Sequence, residues 1–500
     1  MVVRDPDTGE FFRHAQGVYA PLALGEELPV DPPPKVGAVL EGARSGKLGV
    51  RYDVATFQHQ RTHGLKVARG ETLVYYAAAA AMLGACAGPV YMFSQTAMNP
   101  HGAAIATCAT LLALPVLAFS RRYLHGEPMF TRFAMLSAGL LLGFNLVATA
   151  PGLEQTMAGW GLFGFASTFL IGSYNDRSTV RNNATFAFAA YRISDFALLT
   201  AATFSGPLAA ATGQENPELV AGALLMAAMW KSSQFPLTGL FARSMEGPTP
   251  TSALGYAGLS AHIGVVLLAN TMPLWFAFDW ARWALGSVGL YTAVHSTLGA
   301  HVRADRKGAL AYATSSTLGL ILTTLALGHA DLALLMSLGH TAFRMNEVLR
   351  APNSMAEAQH LRAALGRSPW PRAVPDWVYL LAWRARRLDA DFNLMHLMHW
   401  ISGRLVVPRR WRLAPWQQWG LTSAGVVLAG LPFTPVSHAM EELLMELLPV
   451  HPGVAAELML AHYTLSVLIV RFLLVNVITT HDHKPSALPP TKPKQGKHQQ

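Results

Sequence analysis

Charge is what this chain has least of. Only 13% of its 500 residues are Asp, Glu, Lys or Arg, while 52% are hydrophobic; soluble domains carry roughly 25% charged residues. That is too little to cover the surface of a soluble protein of this length. Cysteine is scarce too. Cys86 and Cys108 lie in apolar stretches and match no metal or redox spacing, which argues against a disulfide framework. The N-terminus shows no n-region, h-region and cleavage pattern, so no cleaved signal peptide is expected, and the first hydrophobic span is expected to act as the insertion signal. No recognised metal-site spacing occurs; His396 and His399 are neighbours without a completing carboxylate or Cys. The net charge of +9 could suit a nucleic acid, but its distribution suits a bilayer, and no nucleic-acid partner is expected.

What the chain does have is long apolar runs. About twelve segments are long enough to cross a hydrocarbon core of roughly 30 Å: 72–94, 101–120, 131–150, 155–173, 183–204, 218–240, 251–271, 274–299, 308–327, 329–349, 416–436 and 455–478. Several are rich in Ala and Gly, which suits close helix packing. The expected fold is all-α, a polytopic membrane protein of about twelve transmembrane helices. Lys and Arg fall in alternate loops, among them Arg121, Arg122 and Arg132, then Arg177 and Arg181, Arg243, and Arg303, Arg306 and Lys307. The intervening loops, including the acidic 437–454, carry almost none. Positive charge stays on the cytoplasmic side, so both termini are expected to be cytoplasmic, in a bacterial inner membrane.

The chain divides by composition. Residues 1–70 read as a polar cytoplasmic N-terminal extension without a sizeable core, and 71–349 as the main transmembrane bundle. Residues 350–415 read as a basic cytoplasmic loop containing an amphipathic helix, either lying on the headgroups or offering a docking surface. Residues 416–480 hold the last spans, and 481–500 read as a disordered tail.

Within the spans, polar residues stand out. Lys231 is the only charge in LVAGALLMAAMWKSSQFPLTGL, residues 219–240. An ammonium there costs roughly 2.5–3.5 kcal/mol on insertion scales and usually marks an ion path; the plain alternative is a lysine snorkelling to an interface. Pro236 and Gly239 would break its helix, which a membrane tolerates only against protein or a water-filled cavity. Arg192 and Asp195 are three apart and can meet on one helix face, in a structural or an ion-path role. His262, His295, Lys307, His340 and Arg344 complete a series of ionisable groups across consecutive spans. His340 and Arg344 share a face, with Glu347 a step further. A histidine or a desolvated lysine can exchange protons near neutral pH.

The run KSSQFPLTGLFARSMEGPTPTSAL at 231–254 resembles the signature of the proton-translocating antiporter-like subunits of respiratory complex I and the Mrp antiporters. WGLFGFASTFLIGSY, FAAYRISDFALL, DRKGALAYATSSTLG, GHTAFR and VLAGLP resemble further family segments in the family's order, over roughly residues 120–440. The resemblance implies two inverted repeats, each with a broken helix and a half-channel, and helix breaks at Pro236, Pro248 and Pro250. It assigns roles to Lys231, Asp195, Lys307, His340 and Arg344; with Arg192, His262 and His295, read as ionisable groups within the spans, they make up the expected proton or ion path. The departures are equally specific. The family's glutamate after tryptophan is Gly161, its SAL-x-H histidine is Tyr256, its second broken-helix lysine aligns with Met440, and the lysine of its THAFFK run is Arg344.

Those departures, and the single span after LAGLP, resemble a shorter branch, the membrane subunit of two-component inorganic-carbon transporters of the Dab type. That resemblance implies no catalysis and no cofactor in this chain, and a large cytoplasmic zinc-containing subunit like a β-carbonic anhydrase as partner. The chain would conduct protons or sodium to energise CO2 hydration there. The alternatives are a pumping subunit of a complex I, Mrp or hydrogenase complex, and a non-conducting membrane anchor.

Overall fold

The computed structural model describes residues 54–351 and 413–478, apart from 96–98, 100, 126, 128, 176, 302, 304 and 305, with three strands between 2 and 21 and scattered helical positions at 377–384. The expected amphipathic helix and the tail 481–500 lie essentially outside the described residues. The chain divides into two compact units, Met1–Lys66 and Val67–Gln500.

In the first unit, β1 (Val2–Arg4), β2 (Phe11–Ala15) and β3 (Val18–Pro21) pair antiparallel in the order β1-β2-β3. Val2 faces Arg13, and Ala15 faces Val18. A sheet was not expected there. Its short Val, Phe and Tyr stretches are residue types that suit a pleated surface, although they carry no long hydrophobic period.

The rest is helical. In chain order the helices are α1 (Val54–Ser94), α2 (Gly102–Tyr123), α3 (Met129–Thr149), α4 (Leu153–Ile171), α5 (Ser178–Ser205) and α6 (Pro217–Lys231). They continue with α7 (Leu240–Ser244), α8 (Thr249–Leu254), α9 (Ser260–Asn270), α10 (Asp279–His301), α11 (Arg306–Ala326) and α12 (Ala330–Arg350). The last are α13 (Pro415–Leu428), α14 (Pro435–Val450) and α15 (Pro452–Phe472). Each of the twelve expected segments contains helix, although 218–240, 274–299 and 416–436 are interrupted. By length and composition alone, six described helices could cross a membrane: Gly70–Ser94, Gly102–Tyr123, Met129–Thr149, Thr249–Asn270, Arg306–Ala326 and Pro452–Val477. The remaining segments are shorter, broken or carry more polar and ionisable groups.

Small residues set the packing. α3 and α4 meet closely because Gly143 and Gly159 face each other: a Cβ at Gly143 would lie 2.8 Å from the Gly159 carbonyl. Backbones approach this closely in membranes at small residues. Thr249–Asn270 is almost entirely buried and forms the middle of the bundle, whereas α1 is largely exposed.

Two helices are broken, and in different ways. Asn216 caps the start of α6 by accepting from Leu219 N, and Pro217 takes the first position, where no N–H is needed. The helix stops at Lys231. Ser233 then adopts a φ of 55°. Its hydroxyl donates to Leu237 O at 2.8 Å and accepts from Phe241 N at 3.3 Å, so it satisfies backbone groups that the break exposes. Pro236 lies inside this break, whereas Pro248 and Pro250 do not interrupt a helix. Pro248 is the residue before α8 and Pro250 lies in its first turn, so these two prolines start a helix, as their missing N–H allows. A π-turn, Gly255–Leu259, joins α8 to α9, with Gly258 non-helical.

The second break corrects the sequence reading. Segment 416–436 is not one span, and the expected acidic loop 437–454 is mostly helix. α13 ends at Leu428, Gly430 and Phe433 take φ of 84° and 67°, and α14 starts at Pro435 with Thr434 accepting from Ser437 N. Glu441, Glu442 and Glu446 lower the hydropathy of this stretch without opposing helix formation, because glutamate is a good helix former. α14 and α15 then dock on α5, held by Asn175 Nδ2 donating to Leu474 O at 3.0 Å and Arg471 Nη1 donating to Asn182 Oδ1 at 3.0 Å.

Candidate functional site

Lys231 ends α6 with no solvent exposure. Its ammonium donates to Trp160 O at 2.7 Å and lies 4.3 Å from the centre of the Trp160 ring and 5.3 Å from that of Tyr191. Cation–π contacts of this kind gain when desolvated. Asp195 Oδ1 stands 3.6 Å away, beyond ordinary hydrogen-bond distance but close enough for strong attraction in a low dielectric. The other oxygen of Asp195 pairs with Arg192 Nη2 at 2.5 Å, the i,i+3 contact that the sequence allows. Arg192 packs against the rings of Phe165 and Phe188, at 5.0 and 4.6 Å, which touch each other edge to face. One carboxylate thus serves two buried cations.

The site opens on a cavity of about 50 Å³ lined by Trp160, Gly161, Arg192, Asp195, Glu441 and His462, among others. Neither Asp195 oxygen, nor Arg192 Nε or Nη2, has a protein hydrogen-bond partner of good geometry. A polar cavity of that size has room for water, which could serve these groups. Gly161 forms part of the wall, and Pro432 from the second break fills the space a side chain there would use.

A second chain of groups crosses the other side of the bundle. His262 Nδ1 donates to Gly258 O at 2.8 Å, the carbonyl freed by the π-turn, so its Nε2 is left to accept from His340 Nδ1 at 3.0 Å. His340 Nε2 in turn accepts from Arg344 Nε at 3.2 Å. Arg344 Nη1 then donates to Glu347 at 2.6 Å. Thr341 Oγ1 also lies 3.1 Å from His262 Nδ1, and the chain as written corresponds to both imidazoles as neutral Nδ1–H tautomers.

Between the two lies a hydroxyl cluster that the sequence did not announce. Ser167 Oγ is 2.6 Å from Tyr256 OH and 3.3 Å from Tyr191 OH. Tyr256, which stands where the resemblance expects a histidine, belongs to the same π-turn as Gly258, and Tyr191 touches Lys231. Thus α8–α9 reaches toward both polar chains.

The remaining expected residues sit apart. His295 is buried on α10, stacked on Tyr291 at 5.8 Å and 6.2 Å from Phe235, beside the break after Lys231. Lys307 lies in the first turn of α11 and donates to Gly247 O at 3.4 Å, at the mouth of the signature loop rather than at Lys231. Met440 stands where the resemblance places the second broken-helix lysine, and Glu441 follows it. The structure puts both on the wall of the cavity that Arg192 and Asp195 line.

The site thus consists of a broken helix ending in a buried lysine, a carboxylate on the adjacent helix and a polar chain beyond it. Residues 150–366 match the family described as NADH:quinone oxidoreductase/Mrp antiporter, TM. "NADH-ubiquinone oxidoreductase chain 5" of Locusta migratoria is 28% identical over 46% of this chain and 41% of its own length. "Probable inorganic carbon transporter subunit DabB1" of Halothiobacillus neapolitanus is 28% identical over 60% of this chain and 58% of its own. The chain therefore spans about half the length of the curated relatives it matches. Among solved structures, the Mrp complex from Dietzia sp. DQ12-45-1b is 20% identical, over 84% of this chain and 47% of that one, with a TM-score of 0.49.

Proposed function

We propose that this chain is the ion-conducting membrane subunit of a complex that accumulates inorganic carbon. The observation that carries the conducting role is Lys231, fully buried at a helix break and sharing Asp195 with Arg192 beside a polar cavity. A buried, hydrogen-bonded ammonium next to hydratable groups can pass a proton when the balance of nearby charge changes. Arg192, Asp195 and Lys231 form the entry part of the path. His262, His340 and Arg344 form a second part, with the Tyr191–Ser167–Tyr256 cluster between. Lys307 is assigned to the path on the resemblance, and His295 as an ionisable group buried within a span.

The carbon role is supported by the similarity to DabB1, which extends over more of both chains than the match to the locust chain 5 does. In this reading the chain is not itself an enzyme. It sits in a bacterial inner membrane with both termini cytoplasmic, and proton or sodium entry drives CO2 hydration by a cytoplasmic zinc subunit like a carbonic anhydrase. Segments 1–70 and 350–415 are the surfaces proposed to meet that partner. Coupling needs contacts that differ between two states, and the break after Lys231 is the element proposed to switch.

Expression of the whole complex in a carbonic-anhydrase-deficient bacterium tests this. Growth in air is expected with the wild-type chain and is expected to fail with Lys231→Ala. Rescue that survives Lys231→Ala contradicts the conducting role. Co-purification with quinone-oxidoreductase or hydrogenase subunits instead of a zinc protein replaces the carbon reading with the respiratory one.

A further inference from the structure

The cavity beside Asp195 contains a carboxylate that the path above does not use. Glu441 comes from α14, beyond the second break. Its Oε1 accepts from Ser437 Oγ at 2.8 Å, and both residues line the same cavity as Arg192 and Asp195. The polar side chains facing it there are Arg192 and Asp195 from α5 and His462 and Tyr463 from α15. His438, on α14 itself, is exposed.

Charge balance makes this placement informative. Lys231 and Arg192 are two buried cations, and Asp195 is the one carboxylate ion-paired to them. An uncompensated charge inside a bundle is costly. α4 cannot supply the missing anion at the cavity wall, because Gly161 has no side chain and Pro432 occupies its place. Glu441 is the other carboxylate that reaches the cavity.

We propose that Glu441 is a positioning residue of the Lys231 site, supplying across the cavity the second negative charge that Lys231 and Arg192 require. The proposal rests on the conducting role of Lys231. With Glu441 ionised, two carboxylates balance two cations. When Glu441 takes up one proton, Asp195 is left to balance both, and the hold on the Lys231 charge weakens. Because Glu441 belongs to the second broken helix, the docking of α14 on α5 becomes a condition for flux through the first.

The test is proton uptake by the intact complex in proteoliposomes, measured as a function of pH. Glu441→Gln is expected to lower the rate about tenfold, within the usual range of coupling between sites, and to flatten the pH profile. Glu441→Asp is expected to restore both in large part, and Glu442→Gln, at an exposed position, to behave as wild type. A wild-type rate and profile in Glu441→Gln, where Lys231→Met abolishes uptake, overturns the proposal. Normal uptake in Lys231→Met overturns the conducting role itself, a separate outcome. If Glu441→Gln does not assemble, Ser437→Ala decides: a displaced pH profile supports the proposal and an unchanged one overturns it.

Discussion

Pro432 packs against Gly161 so closely that a Cβ on the glycine would lie 2.6 Å from the proline Cγ. The contact ties the second helix break to the wall of the cavity beside Arg192 and Asp195. It also gives a physical reason for the glycine: any side chain there has to displace the LAGLP turn.

Gly161→Ala is therefore expected to destabilise the fold by about 1–3 kcal/mol, as overpacking does. Thermal unfolding of the detergent-solubilised complex measures it. Combining the change with Pro432→Ala should recover most of the loss. Equal melting temperatures for Gly161→Ala and wild type would show that the turn moves freely, contrary to this account.

Asp195 and Lys231 should respond differently to neutralisation. Asp195→Asn leaves Lys231 and Arg192 buried beside each other with their shared anion removed, and breaking a buried pair costs about 3–5 kcal/mol. Lys231→Met leaves the Arg192–Asp195 pair at 2.5 Å intact and should cost much less. Chemical unfolding of both variants in the same detergent gives the comparison. A Lys231→Met loss as large as that of Asp195→Asn would contradict the shared-carboxylate arrangement.

At the first break, Ser233 combines a left-handed φ of 55° with two backbone hydrogen bonds through its hydroxyl. Ser233→Ala loses the bonds and keeps the strain. Ser233→Gly also loses the bonds but relieves the strain, so it should be the more stable of the two by about 1 kcal/mol. The reverse order would mean that the break is not held in this conformation.

In the second chain, His340→Phe removes both the donor to His262 and the acceptor for Arg344. Turnover of the assembled complex is expected to fall by a factor of roughly 100 or more, typical for loss of a proton-transferring group, with the Lys231 site unaltered. Proton-uptake assays on a variant verified as folded by its melting curve provide the check. Wild-type turnover would remove this chain from the path.

Several of these features could be read in sequence because they are local. Arg192–Asp195 and His340–Arg344 follow from helical spacing, and Lys231 from its cost in an apolar run. The contacts that complete the site are not local. His262 meets His340 across two helices, Pro432 fills the space at Gly161, and Glu441 reaches the Arg192–Asp195 cavity, all through tertiary packing that no spacing rule contains. In α14 three glutamates depress the hydropathy and give a loop-like sequence, whereas Thr434–Pro435 carries the helix start signal. The N-terminal sheet was missed because its strands are too short to set up a period.

The most direct test of the conducting site is proton uptake by the reconstituted complex with Lys231→Met, in preparations whose melting temperature matches wild type. The account predicts loss of uptake with the fold retained, because the Arg192–Asp195 pair still closes the cavity. Uptake at the wild-type rate would contradict it and leave Lys231 a structural lysine.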